Sequence, residues 1–90
     1  MRSGNESQVW TVQIDLEETR DETEATAVVV AGDDRIGGWG RSRRRPSDPE
    51  MPPVGEDVAV ARALMDLAHK LLERAAQTIE RVEGESVQLH

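Results

Sequence analysis

Hydrophobic and polar residues alternate cleanly at the start of the chain. Trp10, Val12, Ile14 and Leu16 fall on one side of an extended segment, and Thr11, Gln13 and Asp15 on the other. A period of two marks a half-buried strand, here over residues 9–16. The charged run from residue 17 to 22 reads as a hairpin connection. Residues 23–31, β-branched and alanine-rich, form a second strand. Gly32-Asp33-Asp34 is a turn signal, and residues 35–42 form a glycine-rich third strand. In a regular register Ala25, Ala27, Val29 and Ala31 share a face, as do Ile36, Gly38, Gly40 and Ser42. So flat a face lets a helix lie close to the sheet. Val28, Val30 and Trp39 then fall on the opposite face, an apolar patch that an isolated chain has no reason to expose.

The pattern then changes period. A proline-rich connector occupies residues 46–53, and Gly55-Glu56-Asp57 opens a helix with acidic residues placed in its first turn, where the helix dipole favours them. Val58, Ala61, Leu64, Ala68, Leu71, Leu72, Ala75 and Ile79 recur at helical spacing, widened by Val60 and Leu67. From Glu56 to about Arg81 the helix spans roughly 35–40 Å at ~1.5 Å per residue, longer than the strands it follows. Its overhanging end calls for a partner, and a second copy of the chain is the simplest. Gly84 is the expected stop, with Val87-Gln88-Leu89 in a short tail. The expected architecture is α+β, β-β-β-α: a three-stranded antiparallel sheet followed by one long C-terminal helix. The domain runs over residues 9–83, between a flexible N-terminus at 1–8 and a tail at 84–90.

Composition narrows the function. A chain of 90 residues builds one domain with a modest core, for which dimerisation is a natural source of stability. The absence of cysteine removes disulfide and thiolate chemistry and suits a reducing, cytoplasmic setting. No apolar run is long enough to span a bilayer. The net charge of −7 is unevenly spread: residues 32–45 hold five arginines against two aspartates, while the flanks are acidic. Nucleic acid is repelled by such a chain unless a local basic patch dominates. Arg41, Arg43, Arg44 and Arg45 form that patch and are the candidate contact for an anionic partner, since guanidinium groups grip phosphates in bidentate fashion. The competing reading is a solvated loop in which these arginines pair with acids such as Asp48 and Glu50, or with a partner subunit.

Other chemistry finds little support. Gly37, Gly38 and Gly40 lack the lysine and following helix of a phosphate loop, so close packing explains them better. His69 has no converging ligands for a metal, and the only other histidine is His90. Glu17, Glu18, Asp21, Glu22 and Glu24 lack the geometry of a calcium loop. No serine has a histidine placed to activate it, so neither catalytic residues nor a cofactor is expected.

The series Ile36-Gly-Gly-Trp-Gly-Arg-Ser-Arg, Pro46-x-Asp48, Pro53-Val-Gly-Glu-Asp57 and Ala61-Arg-Ala-Leu-Met-Asp-Leu67, opened by Trp10-Thr-Val-x-Ile14, resembles one family across residues 9–75. That family comprises small actinobacterial proteins of unknown function whose founding example is a mycobacterial hypoxia-induced dormancy protein. The resemblance implies a double-stranded-RNA-binding-like fold without its first helix, assembled as a homodimer. It also implies a stress or dormancy role likened to that of ribosome-hibernation factors. Arg43-Arg44-Arg45 is more basic than the family pattern, and Trp39 bulkier than its usual aliphatic. Glu56 and Asp57 stand where RNA-binding relatives of the fold crowd lysines, so double-stranded RNA is not the expected partner. Trp39, Val28, Val30, Leu72 and Ile79 are the candidate dimer or partner residues. A purely structural or protein-binding dimer, without nucleic-acid contact, is the alternative.

Overall fold

In the computed structural model, residues 7–44 and 52–84 are described. Three strands, β1 (Val12–Glu18), β2 (Glu22–Ala31) and β3 (Asp34–Arg43), form an antiparallel sheet in the order β1-β2-β3. One helix, α1 (Pro52–Glu83), follows and lies across the β2–β3 side of one face. The α+β, β-β-β-α architecture is as expected. Among the described residues, no helix is long and apolar enough to cross a membrane.

The hairpin turns follow from local chemistry. Gly32 and Asp33 link β2 to β3, and Gly32 carries φ 63° while, among the described residues, none other than glycine has a positive φ. A positive φ at the first central position alone is the II′ form, whose twist suits flanking strands. The β1–β2 connection is tighter than the charge run suggested. Glu17 and Glu18 pair with Glu24 and Thr23 inside the ladder, and the Thr19 N–H donates to the Glu22 carbonyl at 2.8 Å. Charged side chains remain in a strand when its faces meet water.

The helix begins earlier than Gly55. Pro52 and Pro53 lie in its first turn, where a missing N–H costs nothing because those groups have no intrahelical partner. Glu56 and Asp57 consequently fall beyond the first turn, which holds no acidic residue, contrary to expectation. The helix ends at Gly84 as expected, with φ 73° and its N–H donating to the Glu80 carbonyl at 2.6 Å.

Packing rests on small residues. Ala25, Ala27, Val29 and Ala31 of the sheet are buried with Ala59, Ala63 and Leu67 of the helix. A methyl group added at Gly38 would collide with the backbone of Ala63 and Leu67, and one at Gly40 with the backbone of Ala59 and Ala63. The flat face therefore does bring the helix onto the strands. It also shifts the helix's buried stripe. Ala59 and Ala63, absent from the expected series, enter the core, whereas Ala61, Leu64 and Ala68 are exposed. Where backbone approaches backbone, only small side chains fit the line of contact, and larger ones move to its flanks.

β1 departs most from expectation. Every one of its residues is exposed, although Val12, Ile14 and Leu16 pair with Val29, Ala27 and Ala25 and so lie on the helix side of the sheet. A helix about 10 Å wide covers roughly two strands spaced ~4.8 Å apart, and this one sits over β2 and β3. The third strand is left outside.

Candidate functional site

The two sheet edges are treated differently. In an antiparallel ladder, alternate residues turn their backbone groups toward the neighbouring strand or away from it. The Arg44 N–H donates to the Asp21 carbonyl at 2.8 Å, which sets the phase of the β2–β3 ladder. Gly37, Trp39 and Arg41 then turn theirs outward. Helix side chains meet these groups: the Trp39 N–H donates to Asp66 Oδ2 at 2.9 Å, Lys70 Nζ donates to the Gly37 carbonyl at 2.8 Å, and Arg62 Nη1 donates to the Arg41 carbonyl at 2.7 Å. Arg62, Asp66 and Lys70 are four residues apart, so they form one column on the helix. Asp66 is also paired with Lys70 at 3.2 Å. The Trp39 N–H, and then Lys70, hold the Asp66 carboxyl below the usual aspartate range. One row of the molecule thus seals the β3 edge against further strands.

β1 has no such cover. The Thr19–Glu22 bond sets the phase of the β1–β2 ladder and turns the N–H and C=O groups of Val12, Ile14 and Leu16 outward. These residues are 39%, 37% and 41% exposed, and Trp10, just before the strand, is 54% exposed. Across from them the helix flank carries half-buried Val60 and Leu71 and exposed Leu64. An open backbone edge and an apolar stripe therefore coincide. The other face of β1 presents Gln13, Asp15 and Glu17. At its end Glu18 shares a hydrogen bond with Glu56, and that bond, the Glu18 charge, partial burial and Asp57 all push the Glu56 carboxyl up.

The expected arginine patch is largely occupied by intramolecular acids. Arg43 pairs with Glu22 at 3.2 Å, Arg41 approaches the same carboxylate at 3.8 Å, and Arg44 pairs with Asp21 at 3.2 Å. These partners come from β2 and its turn. Arg45, Asp48 and Glu50 lie outside the described residues. Arg41 also sits over the Trp39 ring, 5.6 Å from its centroid.

The candidate partner residues divide between two surfaces. Trp39 (48% exposed) and Val30 (62% exposed) stand with half-buried Val28 on the sheet face away from the helix. Leu72 and Ile79 are half-buried on α1. Arg74 marks where the helix passes the end of the sheet, donating from Nε to Asp34 and from Nη2 to the Ala31 carbonyl at the β2–β3 turn. Ile79 lies on the overhang beyond it. His69 is exposed, and no metal-binding group of His, Cys, Asp or Glu occurs among the described residues. Arg62, Asp66 and Lys70 were not singled out from sequence; their i, i+4, i+8 spacing beside a small-residue stripe is visible there, but the strand edge they meet is not.

A small helix-on-sheet domain with one sealed and one open edge defines the class of this chain, and its sequence places it among known proteins. The sequence model of the Rv2632c-like family matches residues 8–88, and the chain belongs to that family. It is 34% identical over 82 residues to uncharacterized protein Mb1767 of Mycobacterium bovis, covering 91% of this chain and 87% of that protein. Uncharacterized protein Rv2632c of Mycobacterium tuberculosis is 36% identical over 72 residues, covering 78% and 77%. The crystal structure of Rv2632c superposes with a TM-score of 0.85 at 28% identity, covering 92% of this chain and 99% of that one.

Proposed function

We propose that this chain is a non-enzymatic, homodimeric binding protein that works by protein–protein contact from the uncovered β1 side of its sheet. The observation that carries the reading is the asymmetry of the edges: helix side chains close β3, while β1 keeps an open backbone beside exposed Val12, Ile14 and Leu16. Strand addition at such an edge is an established mode of protein recognition. The second copy is seated on the outer helix stripe and its overhang, around Leu72 and Ile79. The thin core supports this assignment, since Val29 is the largest fully buried side chain among the described residues.

Light scattering tests the dimer: the wild type should run at twice the chain mass and Ile79→Asp at the chain mass with an unchanged circular dichroism spectrum. A wild-type monomer at high micromolar concentration contradicts it.

A second reading places the protein on the ribosome, in the cytoplasm, during stress or dormancy. Exposed Trp39 with Arg41 over its ring favours it, together with what the family resemblance implies. Sedimentation of ribosomes from stressed cells, at low salt where arginine contacts are strongest, should carry the chain with them. Its absence from every ribosomal fraction removes this version. Double-stranded RNA is not part of either reading, because Glu18, Glu56 and Asp57 gather where phosphate would have to approach.

A further inference from the structure

The open edge also specifies what can occupy it. We infer that β1 accepts an extended cationic segment from another protein, one in which apolar residues alternate with lysine or arginine. This rests on the reading that β1 is the working edge.

The argument begins with the register that an added strand must take. Its backbone has to meet the outward-facing groups of Val12, Ile14 and Leu16, so one set of its side chains joins their stripe on the helix side. That stripe, continued by Leu64, rewards apolar residues at every second position. The intervening side chains stand beside Gln13, Asp15 and Glu17. Further acid lies beyond both: Glu24 pairs with Glu17 on the far side, and Glu18, Glu56 and Asp57 close the end of the strand. Opposite charges facing across strands stabilise, and like charges directly opposite destabilise.

The same rule favours a cationic strand over a second copy of β1 as the occupant. For two β1 strands to bond antiparallel, their outward residues must face one another, which sets Val12, Ile14 and Leu16 against the same three. In the register that faces all three, Asp15 falls opposite Gln13 and gains no opposite charge, and in those shifted toward Leu16 it meets Asp15 or Glu17. No basic residue exists anywhere in β1 to relieve this. A strand rich in lysine or arginine on that face meets complementary charge instead, and the homodimer proposed above uses the helix, leaving β1 free.

Two synthetic nonapeptides, one alternating valine with lysine and one alternating valine with glutamate, test the inference against the full chain. Binding is read by the backbone amide signals of residues 12–18 at low salt. The lysine peptide should shift and protect the amides of Val12, Ile14 and Leu16, and should bind about tenfold or more tighter than the glutamate peptide. Moderate salt should weaken it. Asp15→Lys combined with Glu17→Lys should reverse the preference. Ile14→Pro, which removes an outward N–H where an edge strand tolerates proline, should abolish binding of either peptide. Equal binding of the two peptides, or unchanged preference in the charge-reversed variant, overturns the cationic specificity while leaving strand addition in place. If neither peptide protects the β1 amides, the working-edge reading falls with it.

Discussion

Gly37 and Gly38 are neighbours on β3, yet the same substitution should act on them in opposite directions. At Gly38 an added methyl would stand 2.8 Å from the Leu67 Cα and still nearer to other backbone atoms of Ala63 and Leu67. An ordinary carbon contact is roughly 3.5–4.0 Å, so the helix must retreat by about 1 Å. Backbone cannot rotate aside as a flexible side chain can. A gap of that size forfeits up to about half of each van der Waals contact it opens, and the contacts concerned are those of Ala25, Ala27, Val29, Ala59 and Leu67. Overpacking of this kind costs about 1–3 kcal/mol, which for a domain of this size lowers the melting temperature by roughly 5–20 °C at about 4–8 °C per kcal/mol. At Gly37, on the open face, the methyl would meet Val28 Cγ2 at 3.7 Å, an ordinary contact. There the lower backbone freedom of alanine in the unfolded chain should leave Gly37→Ala neutral or more stable by up to about 1 kcal/mol. Thermal and urea unfolding followed by circular dichroism measures both. Equal destabilisation of the two variants, or a Gly38→Ala protein as stable as wild type, would refute the close helix–sheet contact.

Further expectations follow from the ionised groups. Asp66 sits below its usual range, so its contribution is present above about pH 4 and lost as pH falls through its folded value; Asp66→Asn should be less stable than wild type at pH 7, the difference closing toward pH 3. Glu56 has the opposite sign: its raised value means that the stability it contributes below roughly pH 4 disappears as pH rises. Glu56→Gln should therefore be more stable than wild type at pH 7 and no better in acid, both compared by urea unfolding across pH. Arg43→Ser with Arg44→Ser should cost no more than about 1 kcal/mol per pair, since these are surface ion pairs; the measurement is the same unfolding midpoint.

The element order was legible in the sequence because the period changes sharply, from two in residues 10–16 to helical after residue 55. The sheet's inner face followed from register and not from alternation: residues 27–31 are apolar throughout, and a regular strand puts Ala25, Ala27, Val29 and Ala31 on one side. The helix stripe was not legible. Hydrophobicity selects Leu64 and Leu71, but the line of contact goes to Ala59 and Ala63 because Gly38 and Gly40 admit nothing larger. The exposed state of β1 also escaped the pattern, which records which face is apolar and not how far one helix can cover it. Alternation in Val12, Ile14 and Leu16 reads as burial, whether the cover comes from the same chain or from another. The arginine cluster was legible in part, since pairing with acids could be expected but not with which ones. Its partners Asp21 and Glu22 lie more than twenty residues earlier and meet it only through strand pairing. Likewise, Asp66 gains its role only when Trp39 is placed beside it.

Amide hydrogen exchange in the unliganded protein, resolved by residue, tests the edge asymmetry most directly. The Trp39 amide, held by Asp66, should exchange slowly, and in Asp66→Ala it should become fast. Gln13, Asp15 and Glu17, bonded to β2, should be protected, while Val12, Ile14 and Leu16 exchange near the rate of open chain at every protein concentration. Protection of Ile14 and Leu16 in the free protein would show the β1 edge already closed, and rapid exchange at Trp39 in the wild type would show β3 open; either result contradicts a sheet sealed on one side and available on the other.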